Sequence, residues 1–270
     1  MKKNVTIRSF LLGILKCVVY FGIWYGITTI VTSFVVSSLS IANPGFSTEK
    51  ILDLFMPYAT AVSGLSGASF VVVMGLLYRH KGVSMLDRVK LGPCRVSLCY
   101  NMLLFGASFM FVINLVLMLL QLFAPSSWFT SFEENSTFGI GNRALETIAV
   151  CIVAPICEEI LFRGLIAKKL REIMPSWLAV ILSSLAFGLM HNGMIGFIYA
   201  TICGAVMCII YFRTGSLLAS MLFHLAFNLM SLLVAGVNIP LYVFILSAVI
   251  TVGELIFIFI NYRGFNHENI

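Results

Sequence analysis

Long apolar runs alternate along this chain with short breaks that are polar, basic or rich in glycine and proline. The runs lie at about 10–39, 55–78, 98–124, 144–167, 176–192, 194–212, 215–236 and 239–261. Most approach or exceed the roughly twenty residues that a helix needs to cross a bilayer. They are continuous, without the ten-residue alternation of a transmembrane barrel. The pattern therefore predicts an all-α fold, a polytopic membrane helix bundle of about eight transmembrane helices. With no long linker, low-complexity segment or internal repeat, residues 1–270 read as a single membrane domain.

Composition supports this class. Hydrophobic residues make up 60% of the chain and charged residues 10%, where a soluble domain carries about 25% charged residues. The first apolar run is too long for the 7–15-residue hydrophobic region of a signal peptide, so an uncleaved first helix is expected. Charge then predicts orientation. Lys2, Lys3, Arg8, Arg79, Lys81, Arg88, Lys90, Arg95, Lys168, Lys169, Arg171, Arg213 and Arg263 fall on one side of the predicted bundle; only Lys50 and Arg143 fall on the other. Basic loops stay in the cytoplasm, so both termini are expected there, in a multi-pass protein of the cell membrane. No basic run is interleaved with exposed aromatics, and nucleic acid is not an expected partner; the lipid bilayer is.

Other features have ordinary readings. The seven cysteines show no CxxC spacing; Cys94 and Cys99 fall beside a basic loop, and the other five lie within apolar runs, where cysteine serves as a small hydrophobe. Cys157 adjoins Glu158 but has no evident activating neighbour. Gly64 with Ala68, and Gly196 with Ala200 and Gly204, form four-residue rows of small side chains that suit close helix packing. Trp128, in the longest outer connection, fits an interfacial anchor. Lys16 is placed to snorkel.

Three runs carry polar groups that need a partner, because an ionisable side chain at bilayer depth costs about 2.5–3.5 kcal/mol. The fourth run contains Glu158, Glu159 and Arg163. Residues four apart share a helix face, so Glu159 is expected to pair with Arg163. Glu158 sits about 100° away and is left for another task. Pro155, one turn earlier, is expected to disturb the helix. The fifth run ends with Phe187 and His191 at the same spacing, and the seventh holds His224 and Asn228. Helical rise puts Glu158 and His224 about 15 and 13 Å from the cytoplasmic end, with His191 deeper at about 22 Å. A lone histidine or asparagine can also be plain interhelical glue. Glu254, in the last run, is unassigned and motivates a proton- or ion-path reading.

The ordered set Glu158-Glu159-x-x-x-Arg163, Phe187-x-x-x-His191 and His224-x-x-x-Asn228 resembles the three motifs of the CPBP family over residues 140–230. That family comprises type II CAAX prenyl endopeptidases and bacterial bacteriocin-processing or immunity membrane proteins. The resemblance implies a hydrolase, an intramembrane endopeptidase acting near the cytoplasmic leaflet on a peptide or small membrane-protein substrate of prenyl or leader type. It implies that Glu158 and His191 activate water, that His224 and Asn228 donate hydrogen bonds to the oxyanion, and that Glu159, Arg163 and Phe187 support the site. No cofactor is expected. The helical zinc motif HExxH is absent, and a metal, were one bound, would fall to Glu158, His191 and His224. The alternatives are a non-catalytic immunity or scaffold protein and an ion or proton transporter.

Overall fold

The computed structural model describes residues 5–91, 94–134 and 141–262, and every regular element among them is helical. Helix α1 (Ile7–Ala42) starts where Thr6 Oγ1 accepts the Ser9 N–H. Helix α2 (Thr48–Phe55) is capped in the same way by Ser47 and runs through one 3₁₀ turn, Met56–Tyr58, into α3 (Ala59–His80). Short α4 (Met85–Val89) ends on Lys90, in the left-handed conformation at φ 54°. Helices α5 (Val96–Gln121) and α6 (Ser126–Glu134) follow. The long outer connection thus holds a helix that includes Trp128; residues 135–140 lie outside the described residues, as do Lys2, Lys3 and Arg263.

From Arg143 to Ile173 the backbone is helical throughout, but it is not uniform. Helix α7 (Arg143–Ile148) gives way to a π-helical stretch, Ala149–Val153, then α8 (Ala154–Glu159), a second π stretch, Ile160–Ala167, and α9 (Lys168–Ile173). The cause of the first stretch is local. Pro155 has no N–H, and its ring crowds the carbonyl four residues back. The ladder widens there instead, and Ala154 N–H bonds to Ala149 O, five residues earlier. The disturbance expected at Pro155 is therefore a widened turn. The second stretch ends likewise, with Lys168 N–H bonded to Arg163 O. Such widened turns re-aim the side chains that follow.

Helices α10 (Ser176–Gly188), α11 (Gly193–Thr214), α12 (Leu217–Leu233) and α13 (Leu241–Asn261) complete the bundle. Gly215, at φ 74°, closes α11, and Ser216 caps α12. Among the described residues, five helical segments are long and apolar enough to cross a membrane: Ile7–Ala42, Thr48–His80, Val96–Gln121, Gly193–Thr214 and Leu241–Asn261. Helices α10 and α12 are apolar but shorter. The protein is a multi-pass membrane protein with an all-α architecture. Of the eight predicted runs, the one at 144–167 differs most, because its helix carries the charged residues and both widened stretches.

Packing supports the small-residue reading. A Cβ on Gly64 would lie 3.4 Å from the Ala149 Cβ, so α3 seats against the first π stretch. At Gly204 a Cβ would lie 3.2 Å from the Ser184 Cα, which lets α11 approach α10. The buried core runs from Phe70 and Met74 on α3, through Met102 and Phe105 on α5, to Phe223 on α12. All seven cysteines are free thiols.

Candidate functional site

The site is organised around Glu159, which is completely buried on α8. A buried carboxylate needs donors for its lone pairs as well as a countercharge. Arg163 Nη1 donates to Oε1 at 2.6 Å, the four-residue pair read from the sequence. His224 Nδ1 reaches the same oxygen at 3.1 Å, and Ser220 Oγ donates to Oε2 at 2.5 Å. Arg163 also donates from Nη2 to Gly204 O at 3.2 Å, and its guanidinium lies 4.4 Å from the centre of the Phe187 ring. That ring contacts Phe162, His191 and His224 edge-on or tilted, at 5.1, 4.8 and 5.9 Å. Glu159, Arg163 and Phe187 thus tie together the segments that carry both histidines.

Glu158 is one residue away and faces a different space. Its side chain is 23% exposed, against 0% for Glu159. It lines a cavity of about 530 Å³ together with His191, His224 and Asn228. The His224 Nε2 lies 3.9 Å from Glu158 Oε2. Helix α10 stops at Gly188, so His191 sits in the turn to α11 and not on a helix. This turn brings it to the same cavity as Glu158, despite the greater depth expected from helical rise.

The hydrogen bonds set the tautomers. His191 Nδ1 faces Phe187 O at 3.0 Å, and a carbonyl only accepts, so Nδ1 carries the proton. His224 Nδ1 faces a carboxylate and carries a proton for the same reason. Both rings therefore turn Nε2 away from these anchors. Asn228 donates from Nδ2 to Val150 O at 2.8 Å, in the first π stretch. It is interhelical glue and a cavity-lining amide at once.

Ser220 was not singled out in the sequence, yet it stands one turn before His224 on the helix that also places Asn228. Ser220, His224 and Asn228 form one four-residue series, and that period was the available signal. Arg163's carbonyl partner, Gly204 O, had none. Cys157 packs beside Gly67 and Trp24 and does not line the cavity. Glu254 is buried on α13, away from the cavity, with its Oε2 lacking a hydrogen bond. On the same helix, Thr251 hydrogen-bonds Ser108 of α5 at 3.0 Å.

The donor set around Glu158 includes two imidazoles with anchored Nδ1 atoms, as metal-binding histidines often have. Among the described residues, however, no three His, Cys, Asp or Glu side chains stand close enough together to hold a metal ion.

Comparison with known proteins bears on residues 140–230, which match the family described as type II CAAX prenyl endopeptidase Rce1-like. The chain is also similar to "Putative membrane peptidase YdiL" of Bacillus subtilis (strain 168), at 30% identity over 109 residues. That alignment covers 35% of this chain and 45% of the relative, so the chain spans less than half of the relative's length. No solved structure matches. The matched segment contains Glu158, Glu159, Arg163, Phe187, His191, His224 and Asn228. Over residues 140–230 the chain is similar to the Rce1-like CAAX-type membrane endopeptidases.

Proposed function

We propose that the protein is an intramembrane endopeptidase that hydrolyses a peptide bond by water activation at Glu158. The observation that carries this reading is the 530 Å³ cavity on which Glu158, His191, His224 and Asn228 converge. Its volume lies within the range of small-ligand sites. Glu159 is saturated by Arg163, Ser220 and His224, which leaves Glu158 as the carboxylate available for proton transfer.

In this mechanism a water held between Glu158 and the His191 Nε2 gives a proton to Glu158. Its oxygen attacks the carbonyl carbon of the scissile amide. The second hydrogen of the Asn228 amide and, in the doubly protonated ring, the His224 Nε2–H donate to the oxyanion. The tetrahedral intermediate collapses as Glu158 returns the proton to the leaving nitrogen. General-base catalysis of this kind contributes about 10²–10⁴ in rate, and an oxyanion donor about 10²–10³. Anchoring of His224 by Glu159, itself held by Arg163, supplies the preorganisation on which such donors depend.

Purified wild type and Glu158→Gln, compared for cleavage of membrane-associated peptides, test the reading. Equal cleavage would remove it. A non-catalytic immunity or scaffold protein would keep its cellular phenotype in both Glu158→Gln and His191→Ala.

A further inference from the structure

The cavity lies in the half of the bundle opposite the basic residues. The basic end is defined by contacts across several elements. Arg88 pairs with Glu172 at 2.7 Å, and Arg213 donates to Tyr262 O at 3.3 Å. A Cβ on Gly13 would touch Ile173 at 2.7 Å, which brings the start of α1 to α9. At the other end, a Cβ on Gly141 would meet Pro57 O, so the start of α3 lies beside the start of α7.

The cavity lining follows this axis. Most of it comes from the halves of α3, α5, α10, α11 and α12 that lie away from the basic end, with Met207, Phe223 and His224 near mid-helix. Ser63, Asn114, Asn192 and Ser231 are exposed at the far end, whereas Phe187, Cys203, Met207 and Phe223 are buried. Burial thus increases from a polar mouth to an apolar floor.

Beneath the floor the bundle is sealed. Helix α4 lies against the second π stretch, with Val89 wholly buried. Gly164 makes this possible, since a Cβ there would lie 2.7 Å from Val89. Three other elements fasten the α4 backbone. Lys168 Nζ donates to Arg88 O at 2.5 Å, the Tyr211 hydroxyl to Val89 O at 3.1 Å, and Leu217 N–H to Lys90 O at 3.1 Å.

Orientation then decides the substrate. The described basic residues at the plugged end are Arg8, Arg79, Lys81, Arg88, Lys90, Arg95, Lys168, Lys169, Arg171 and Arg213, against Lys50 and Arg143 at the mouth end. Such an excess marks the cytoplasmic side. We infer that the cavity is filled from the non-cytoplasmic face and takes an extended segment of exported polypeptide lying at the outer membrane surface. Serine and asparagine at the mouth can hydrogen-bond its backbone, and the apolar floor can hold one of its side chains. This replaces the cytoplasmic-leaflet expectation, and it rests on the endopeptidase reading for the nature of the substrate but not for the direction of access.

Site-resolved thiol labelling tests the direction in intact cells. Full-length Ser231→Cys, Ser63→Cys and Lys81→Cys variants are treated with a membrane-impermeant maleimide, and each peptide is quantified by mass spectrometry. Labelling at 231 and 63 in intact cells, with labelling at 81 only after permeabilisation, is the expected result. The reverse pattern, or no labelling at 231 and 63 under either condition, overturns the inference. A second arm presents a cleavable peptide to either face of oriented vesicles containing wild type or Glu158→Gln. Cleavage from the non-cytoplasmic face alone supports the inference, and cleavage from the cytoplasmic face alone overturns it. Absence of cleavage from both faces overturns the endopeptidase reading, while the labelling result still stands by itself.

Discussion

Glu158 and Glu159 are neighbours in sequence with opposite surroundings. Glu159 has no exposure and takes hydrogen bonds from Arg163, Ser220 and His224, whereas Glu158 opens on the cavity. Truncating Arg163 leaves an uncompensated buried carboxylate, and breaking such a pair costs about 3–5 kcal/mol. Arg163→Met is therefore expected to lower the unfolding free energy in detergent by that order. The double variant Glu159→Gln/Arg163→Met should lose less than the single variant, because no charge is stranded. A loss in the double variant equal to the sum of both singles would contradict this coupling. The spacing of Glu159 and Arg163 made their pairing legible in sequence. The link from Glu159 to His224 was not, because 65 residues separate them and only the packing of α12 against α8 brings them together.

At the scale of elements, α4 and α9 govern the basic end. Burial tends to raise the Glu172 carboxyl, but the Lys169 hydrogen bond and the charge of Arg88 outweigh it and hold Glu172 below the usual carboxylate range. Its contribution to stability is therefore fully present above the unfolded carboxylate range and is lost as pH falls through the lower folded value. Lys168 shifts the other way. Burial, with the nearby charges of Arg88 and Lys90, pulls it from 10.5 to about 8. Between about 8 and 10.5 the unfolded chain binds more protons at this residue, so stability should rise with pH across that window. Thermal unfolding in detergent from pH 7 to 10 should show the rise, and Lys168→Met should abolish this component. Glycine positions supply a further contrast. Gly164→Ala drives a Cβ into Val89 and should cost about 1–3 kcal/mol by overpacking. Gly75→Ala meets nothing within 4 Å and should gain about 0.5–1 kcal/mol in mid-helix. Equal effects at the two positions, measured by unfolding, would contradict the α4 contact. Neither π stretch could be read in advance, since Pro155 signals a disturbance but not whether the ladder kinks or widens.

For the molecule as a whole, hydropathy located the long helices well because α1, α5 and α13 are apolar nearly all round. It served less well for the helical run from Arg143 to Ile173, where the charges needed by the site dilute the apolar pattern. It also placed His191 on a helix, while the chain leaves the helix at Gly188 and uses the following turn to bring the ring back to Glu158. Polar residues inside apolar runs were nonetheless the right guide, because a bundle in lipid must bring them together or leave them unpaired. The central claim is that Glu158 is the base on which peptide hydrolysis depends, and its most direct test is the cleavage rate of purified protein in bilayers, wild type against Glu158→Gln. A loss of about 10²–10⁴-fold with unchanged unfolding temperature is expected, since Glu158 lies outside the Glu159–Arg163 network. Cleavage at the wild-type rate in a folded Glu158→Gln protein would contradict it.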